Sequence, residues 1–256
     1  MSLTGKIFGS SSREKAAAPA SVMARSASAA LLTAVLGLTA CTRDYTVAYV
    51  YATSSNGINE YSSYYQSGSL VPISGSPVAA GNNPVAILPA PGGQFLYVLN
   101  QGDSTVQAFA VASDGKLTSK STSRTGNRPT ALAIDPAGKF LYVTYTYQTG
   151  FSATNPGPGG ITIFPISADN SLGTPSNLNI GNNPSGIVVS AFNNFVYAID
   201  AEPAVGSASP FGVLLAFSQN TTSGALTPIG KTVISTDASG RTVASGYGAG
   251  TVPSAI

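Results

Sequence analysis

The sequence predicts an all-β fold, a β-propeller of four-stranded antiparallel blades. Three observations carry this. The chain is poor in charge (9%) and rich in Gly (28) and Pro (17), which suits short strands joined by tight turns better than helices. Four short anchors recur along it at matching internal spacings. The unit they mark, 45 residues from Pro84 to Pro129, is the size of one propeller blade.

The N-terminal segment stands apart from the repeat. It holds Lys6, Arg13, Lys15 and Arg25 against Glu14, so the formal +2 of the chain belongs to this leader. The remainder is close to neutral and has no basic patch, which argues against nucleic acid as a partner. Residues 26–40 are uncharged and too short to span a bilayer, which takes about 20 apolar residues. A basic start, a short apolar run and small residues before a cut describe a secretory signal. The ending Leu38-Thr39-Ala40-Cys41 resembles a bacterial lipobox. We read 1–40 as a lipoprotein signal peptide and 41–256 as the propeller domain. Cys41 is then the lipidated first residue of the mature chain, and its lipid is the partner that reaches the membrane. An ordinary secretory signal is the alternative, and Met23-Ala24-Arg25 offers a second candidate start. Thr42 after the cysteine, in place of Asp, favours the outer over the inner membrane for an exported lipoprotein. Cys41 is the sole cysteine, so no disulfide within the chain and no cysteine-based metal cluster can form.

The repeat follows. Its first anchor is Pro84-Val-Ala-Ile87, Pro129-Thr-Ala-Leu132, Pro184-Ser-Gly-Ile187 and Pro253-Ser-Ala-Ile256. The second is Tyr97-Val98, Tyr142-Val143 and Tyr197-Ala198, each 13 residues after its Pro, with Tyr49-Val50 as an earlier copy. The third pairs an aliphatic with an aromatic: Ile58/Tyr61, Val106/Phe109, Ile161/Phe164 and Leu214/Phe217. The fourth is Leu70, Leu117, Leu172 and Leu226. Each unit reads as four strands: A (131–134 in the clearest copy), B (140–143), C (161–166) and a short D. Asp135-Pro-Ala-Gly138 turns A into B, and Asp114-Gly115 and Asn170-Ser171 turn C into D. A single such sheet cannot bury both faces, so it must stack on others. A β-sandwich with chance similarity is the competing reading.

The pattern Pro-x-Ala-Leu-x-x-x-Pro-x-Gly-x-Phe-Leu-Tyr-Val, best seen from Pro129 to Val143, resembles the seven-bladed lactonase family of Tyr-Val-Thr-Asn repeat proteins. Tyr97-Val-Leu-Asn100 comes nearest to the tetrapeptide that names it. The resemblance covers 45–256, with a departure in the third complete unit, where Ala191, Asn193 and Ala198 replace Pro, Gly and Val. It implies a seven-bladed ring, of which about four blades are present here. The array then reads as the N-terminal portion of a larger ring. A four-bladed ring closed by Pro253 to Ile256 is the alternative.

In such a meander the B–C loops and D–A links share one face. The D–A links carry Gly81-Asn-Asn-Pro84, Gly126-Asn-Arg-Pro129 and Gly181-Asn-Asn-Pro184. From the Tyr anchor to the aliphatic anchor the chain runs nine residues in the first two units, then 19 and 17. All this growth falls on one face, so a ligand site is expected there. Asn82, Asn127 and Asn182 are its ligand-face candidates, with ordinary turn chemistry as the competing role. Gly157-Pro-Gly-Gly160 and Gly246-Tyr-Gly-Ala-Gly250 read as loops.

The chain has no histidine, which excludes a Ser-His-Asp triad, a Cys-His pair and His-ligated metal. No metal or cofactor is expected. Arg128, Asp200 and Glu202 are the one trio that could open a lactone, with a carboxylate as base and the guanidinium on the oxyanion. The resemblance implies activity on sugar-acid lactones, including 6-phosphogluconolactonase-like activity, but no catalytic residue of the family maps onto this sequence. Two readings stand. One is an envelope propeller that binds a small molecule, glycan or protein on its long-loop face. The other is a lactonase of the carboxylic-ester type.

Overall fold

A strand covered on one face alternates apolar and polar residues, and strand B does not. Phe140 to Thr146 is buried at every position because sheets pack on both sides of it. The computed structural model describes residues 44–155, 157–192, 194–201, 212–236, 242–250 and 253. The chain divides into Met1–Tyr45 and Thr46–Ile256, and nearly all described residues belong to the second unit. Cys41, Asn193, Glu202 and Ser254 to Ile256 lie outside the described residues.

The second unit is a series of antiparallel sheets in chain order. β1 (Thr46–Ser54), β2 (Gly57–Tyr64) and β3 (Leu70–Pro72) form the first, which begins at strand B as expected. β4 (Pro84–Pro89), β5 (Phe95–Asn100), β6 (Thr105–Val111) and β7 (Leu117–Arg124) form the second. β8 (Asn127–Ile134), β9 (Phe140–Tyr147), β10 (Gly159–Pro165) and β11 (Ser176–Gly181) form the third. β12 (Pro184–Val189), β13 (Phe195–Asp200), β14 (Val213–Gln219) and β15 (Leu226–Pro228) form the fourth. The last three are A–B–C–D meanders, and each sheet is one blade. Apolar layers lie between neighbours. Leu96, Val98 and Phe109 pack toward the first blade, while Tyr97, Leu99 and Val106 pack toward the third. Phe109, Phe164 and Phe217 are wholly buried at one repeated position. Each contributes about 1.5–3 kcal/mol by burial.

The repeated tyrosine has a second task. Tyr97 donates its hydroxyl to the Asn170 carbonyl at 3.2 Å, and Tyr142 donates to the Gly224 carbonyl at 3.0 Å. Both acceptors sit in the C–D turn of the following blade, at a residue with positive φ (61° for Asn170, 74° for Gly224). The equivalent turn residue of the second blade is Gly115 (φ 83°), and its carbonyl accepts from Tyr51 at 2.8 Å. Strand register agrees. Tyr51 lies opposite Glu60, as Tyr97 lies opposite Ala108 and Tyr142 opposite Ile163. The first copy of the anchor is therefore Tyr51, and Tyr49-Val50 is two residues out of step. Such a slip keeps the ring on the same face, and Tyr49 also reaches this turn, donating to the Ser113 carbonyl at 2.8 Å. The first B–C connection shrinks accordingly to Ser55-Asn56. Burial pushes the phenols of Tyr51 and Tyr97 up to about 12 and raises that of Tyr142, so all three remain protonated donors.

The innermost strands are linked differently. Each strand A carries a register shift just after its Pro, at Pro84/Ala86, Pro129/Ala131 and Pro184/Gly186. A bulge re-aims one side chain. In the third blade this is Thr130, whose hydroxyl donates to the Pro184 carbonyl at 2.7 Å. In the fourth it is Ser185, which donates to the Pro253 carbonyl at 3.0 Å. Val85 has no donor, and Gln101 Nε2 serves instead, donating to the Pro129 carbonyl at 3.0 Å. The start of every described strand A is thus tied to the next.

Four further expectations change. Strand A of the third blade begins at Asn127, so its D–A link is already paired. Leu172 forms one bridge with Ile166, and strand D starts at Ser176. Gly159 and Gly160 open β10 in place of continuing a loop, because Gly160 lies under the Tyr145 ring. The link after Leu226 folds into a hairpin, β16 (Val233–Thr236) with β17 (Thr242–Ser245). β18 (Tyr247–Gly248) then pairs with β14, so Gly246 to Gly250 is not a free link.

One buried charge stands out. Glu60 is 1% exposed where the other blades carry Ala108, Ile163 and Ala216. Its Oε1 accepts from the Leu117 amide at 2.7 Å, and its Oε2 has no partner among the described residues. Desolvation raises its pKa above the ordinary 4.5, outweighing the Leu117 amide and Lys116, which lower it, while Asp114 adds to the rise. The folded chain therefore holds this proton more tightly than the unfolded chain. The stability it contributes is complete below about pH 4 and is lost as pH rises through the raised value. Urea unfolding at a series of pH values between about 4 and 7 should show this loss. Glu60→Gln should remove that component, and an unchanged slope in the variant would assign the pH dependence elsewhere.

Candidate functional site

The D–A links and B–C loops meet on one face, and their polar groups bond to one another. In the second blade the Asn82 amide N–H donates to Asp103 Oδ2 at 2.6 Å, and its Nδ2 donates to Oδ1 at 2.7 Å. The Gly102 amide returns a bond to the Asn82 carbonyl at 3.0 Å. In the third blade Asn127 Nδ2 donates to the carbonyls of Gln148 (3.3 Å) and Phe151 (3.1 Å). In the fourth, the amides of Asn182 and Asn183 donate to Asp200 Oδ2 (3.0 Å) and Oδ1 (2.8 Å). Each of the three asparagines stands at the start of its own blade's strand A. Asn82 and Asn127 spend their amide groups tying a link to the B–C loop of the same blade.

Asp200 is 1% exposed and occupied by the link it caps. Arg128 stands on the preceding link and is exposed. Its amide donates to Ser104 Oγ at 3.2 Å, and its carbonyl accepts from Thr146 Oγ1 at 3.3 Å. Among the described residues its guanidinium forms no ion pair, and no bond joins it to Asp200. Its φ is +55°, where Asn83 at the matching position has +49°. Asn tolerates this region through its short side chain, whereas Arg is held there at a cost of about 1–3 kcal/mol. An arginine kept in strained backbone, its guanidinium in no ion pair among the described residues, is the strongest single functional signal on the loop face.

A second feature lies between the first and second blades. A cleft of about 580 Å³ is walled by the link 79–81 and by Asn100, Asp103, Thr105, Gln107, Thr122 and Arg124. The candidate residues of the sequence missed it. The signal was present three residues after each repeated tyrosine, where Asn100, Tyr145 and Asp200 stand in turn. Each packs against the glycine of its own Gly-Asn-x-Pro link. A Cβ at Gly81, Gly126 or Gly181 would collide with Asn100, Tyr145 or Asp200 respectively. The links therefore carry glycine for space, which a periodicity of apolar residues does not reveal.

Residues 40–152 match the family described as lactonase, 7-bladed beta-propeller. This segment contains the Tyr97 and Tyr142 repeats and Arg128. The chain is a β-propeller, and this segment of it is similar to that family. No curated protein matches this propeller. Solved structures match its fold. A protein of Lactobacillus plantarum is 18% identical with a TM-score of 0.56, over 73% of this chain and 54% of that one. A candidate 6-phosphogluconolactonase of Bacteroides uniformis is 20% identical at 0.55, over 70% and 50%. The periplasmic gluconolactonase of Pseudomonas aeruginosa is 17% identical at 0.52, over 80% and 54%. The propeller thus spans about half the length of the structures it matches, and at these identities the likeness is one of fold.

Asp200 acts as a structural cap in this geometry. Asp200→Ala should strand the two link amides and cost roughly 2–3 kcal/mol in urea unfolding. A loss below about 0.5 kcal/mol would remove the capping role.

Proposed function

We propose that the loop face binds and hydrolyses a sugar-acid lactone, with Arg128 as the group that stabilises the reacting oxygen. The observation that carries this is the strained arginine, in no ion pair among the described residues, inside the segment that matches the lactonase family. The match to a lactonase family and the fold shared with a periplasmic gluconolactonase support the same chemistry.

The proposed step follows from the bond that breaks. Water adds to the acyl carbon of the lactone, and the carbonyl oxygen takes up negative charge. A guanidinium at that oxygen stabilises the charge more in the transition state than in the ground state, which is what accelerates the step. The proton of the attacking water passes to a general base, the ester bond breaks with the ring oxygen taking that proton from the base to leave as an alcohol, and the carboxylic acid formed then releases its own proton. Glu202, two residues beyond Asp200 in a long B–C loop, is the carboxylate we propose as base. Asp200 is not used, because its carboxylate holds the link amides.

A second reading is favoured by one observation. The sequence has no histidine, so the face can recognise a lactone or sugar acid without turning it over. Export suits both readings, and we propose that Cys41 carries a lipid that holds the propeller at the outer membrane.

Gluconolactone hydrolysis above the spontaneous rate, followed by proton release, tests the first reading. Arg128→Gly suits a positive φ and should leave the fold intact while lowering kcat/KM by about 100-fold. Turnover at wild-type rate in this variant would end the assignment, and binding without turnover in the parent would establish the second reading. For the anchor, Cys41→Ser should move the protein from the membrane to the soluble fraction after cell lysis. A membrane-bound variant would defeat the lipid assignment.

A further inference from the structure

We propose that the cleft between the first and second blades is a ligand site distinct from Arg128, built for a small polyol that carries an anionic group. The repeat supplies the argument, because the same cleft recurs one blade later in a self-satisfied form.

Strand register makes the two clefts comparable position by position. Asn100 faces Thr105 as Tyr145 faces Gly160. Thr105 faces Arg124 as Gly160 faces Asn179, and Gln107 faces Thr122 as Thr162 faces Asn177. In the third blade these groups bond among themselves. The Gly126 amide donates to Thr162 Oγ1 at 3.2 Å, Thr162 donates to Asn177 Oδ1 at 2.8 Å, and Tyr145 donates to Asn179 Oδ1 at 3.5 Å. The Tyr145 ring fills the inner end, over Gly126 and Gly160, and the remaining cavity is about 320 Å³.

In the second blade the ring is gone and the network is open. Asn100 is fully buried. Its Nδ2 reaches Thr105 Oγ1 at 3.3 Å, and its Oδ1 has no partner among the described residues. Leaving such an acceptor unpaired costs about 1–3 kcal/mol, so its place in the wall of a cavity points to a donor that arrives from outside. Arg124 lies at the outer end, where the third blade has a neutral asparagine, and it forms no ion pair among the described residues. Asp103 also lines the cleft and keeps its charge, but both its oxygens accept from Asn82, and it forms no ion pair with Arg124 among the described residues. Gln107 donates to Ser119 at 2.9 Å and lines the cleft with Thr122. Polar side chains in the wall, with Arg124 at the rim in no ion pair among the described residues, match hydroxyl groups on a short chain that ends in an anion. The site does not depend on lactone hydrolysis at Arg128.

Isothermal titration calorimetry on the full chain tests this, with gluconate as the carboxylate probe, glucose 6-phosphate as the phosphate probe and glucose as the neutral control. At least one anion should bind, and more tightly than glucose. Asn100→Tyr combined with Thr105→Gly copies the third blade and should weaken that anion at least about 10-fold. Arg124→Gln, at an exposed position that leaves the core untouched, should weaken it by a similar factor and leave glucose unchanged. The proposal is overturned if neither anion binds the parent chain. It is equally overturned if the anion binds Arg124→Gln and the double variant as it binds the parent.

Discussion

Three successive blades of this propeller each turn a tyrosine hydroxyl toward the next blade, and that constraint organises the rest. A phenol inside an apolar layer needs an acceptor. Here the acceptor is the carbonyl of the left-handed residue in the C–D turn of the next blade, reached from Tyr51, Tyr97 and Tyr142. The turn residue must be Gly or Asn to hold that backbone shape, and Gly115, Asn170 and Gly224 are what the sequence supplies. The tyrosine of one blade and the turn of the following one are thus a single device. It works at one end of the sheets. At the other end the Thr130 and Ser185 hydroxyls tie each strand A to the next. Held at both ends, successive blades present their loop face in a constant orientation, which is the condition for a site made from several blades.

The loop face uses one geometric slot repeatedly. The residue that ends strand B packs on the glycine of the D–A link, and its chemistry decides what the blade does there. Tyr145 fills the slot with a ring, Asp200 fills it with a carboxylate that caps the link, and Asn100 leaves it partly open. Where strand B ends in Asn100, the capping of the link passes to Asp103 in the loop. The capping duty is therefore exchanged between neighbouring positions from blade to blade, within the same strand pairing.

Arg128 shows why function and fold part company on this face. The matching position of the second blade carries Asn83, a residue suited to positive φ. Arginine at such a position is a local cost with no packing return, since its guanidinium contacts no partner among the described residues. A residue that the backbone disfavours and the core does not need is where a proposed function has its physical footing.

By itself the sequence determined the repeat, the strand order, the start of the first sheet at strand B and the face on which links and loops gather. These are local matters, set by apolar spacing, turn residues and the direction in which an antiparallel meander must run. It could not separate Tyr49 from Tyr51, because a slip of two residues preserves the buried face, and only pairing with β2 and the Gly115 carbonyl decide between them. Nor could it tell that Asp200 is a cap while the Arg128 guanidinium forms no ion pair among the described residues, since both are polar residues near loops. That difference lies in which amides come within reach of each side chain. The cleft of Asn100 and Arg124 belongs wholly to the tertiary structure: its walls come from three strands of the second blade and the link that enters it, brought together by the pairing of the meander.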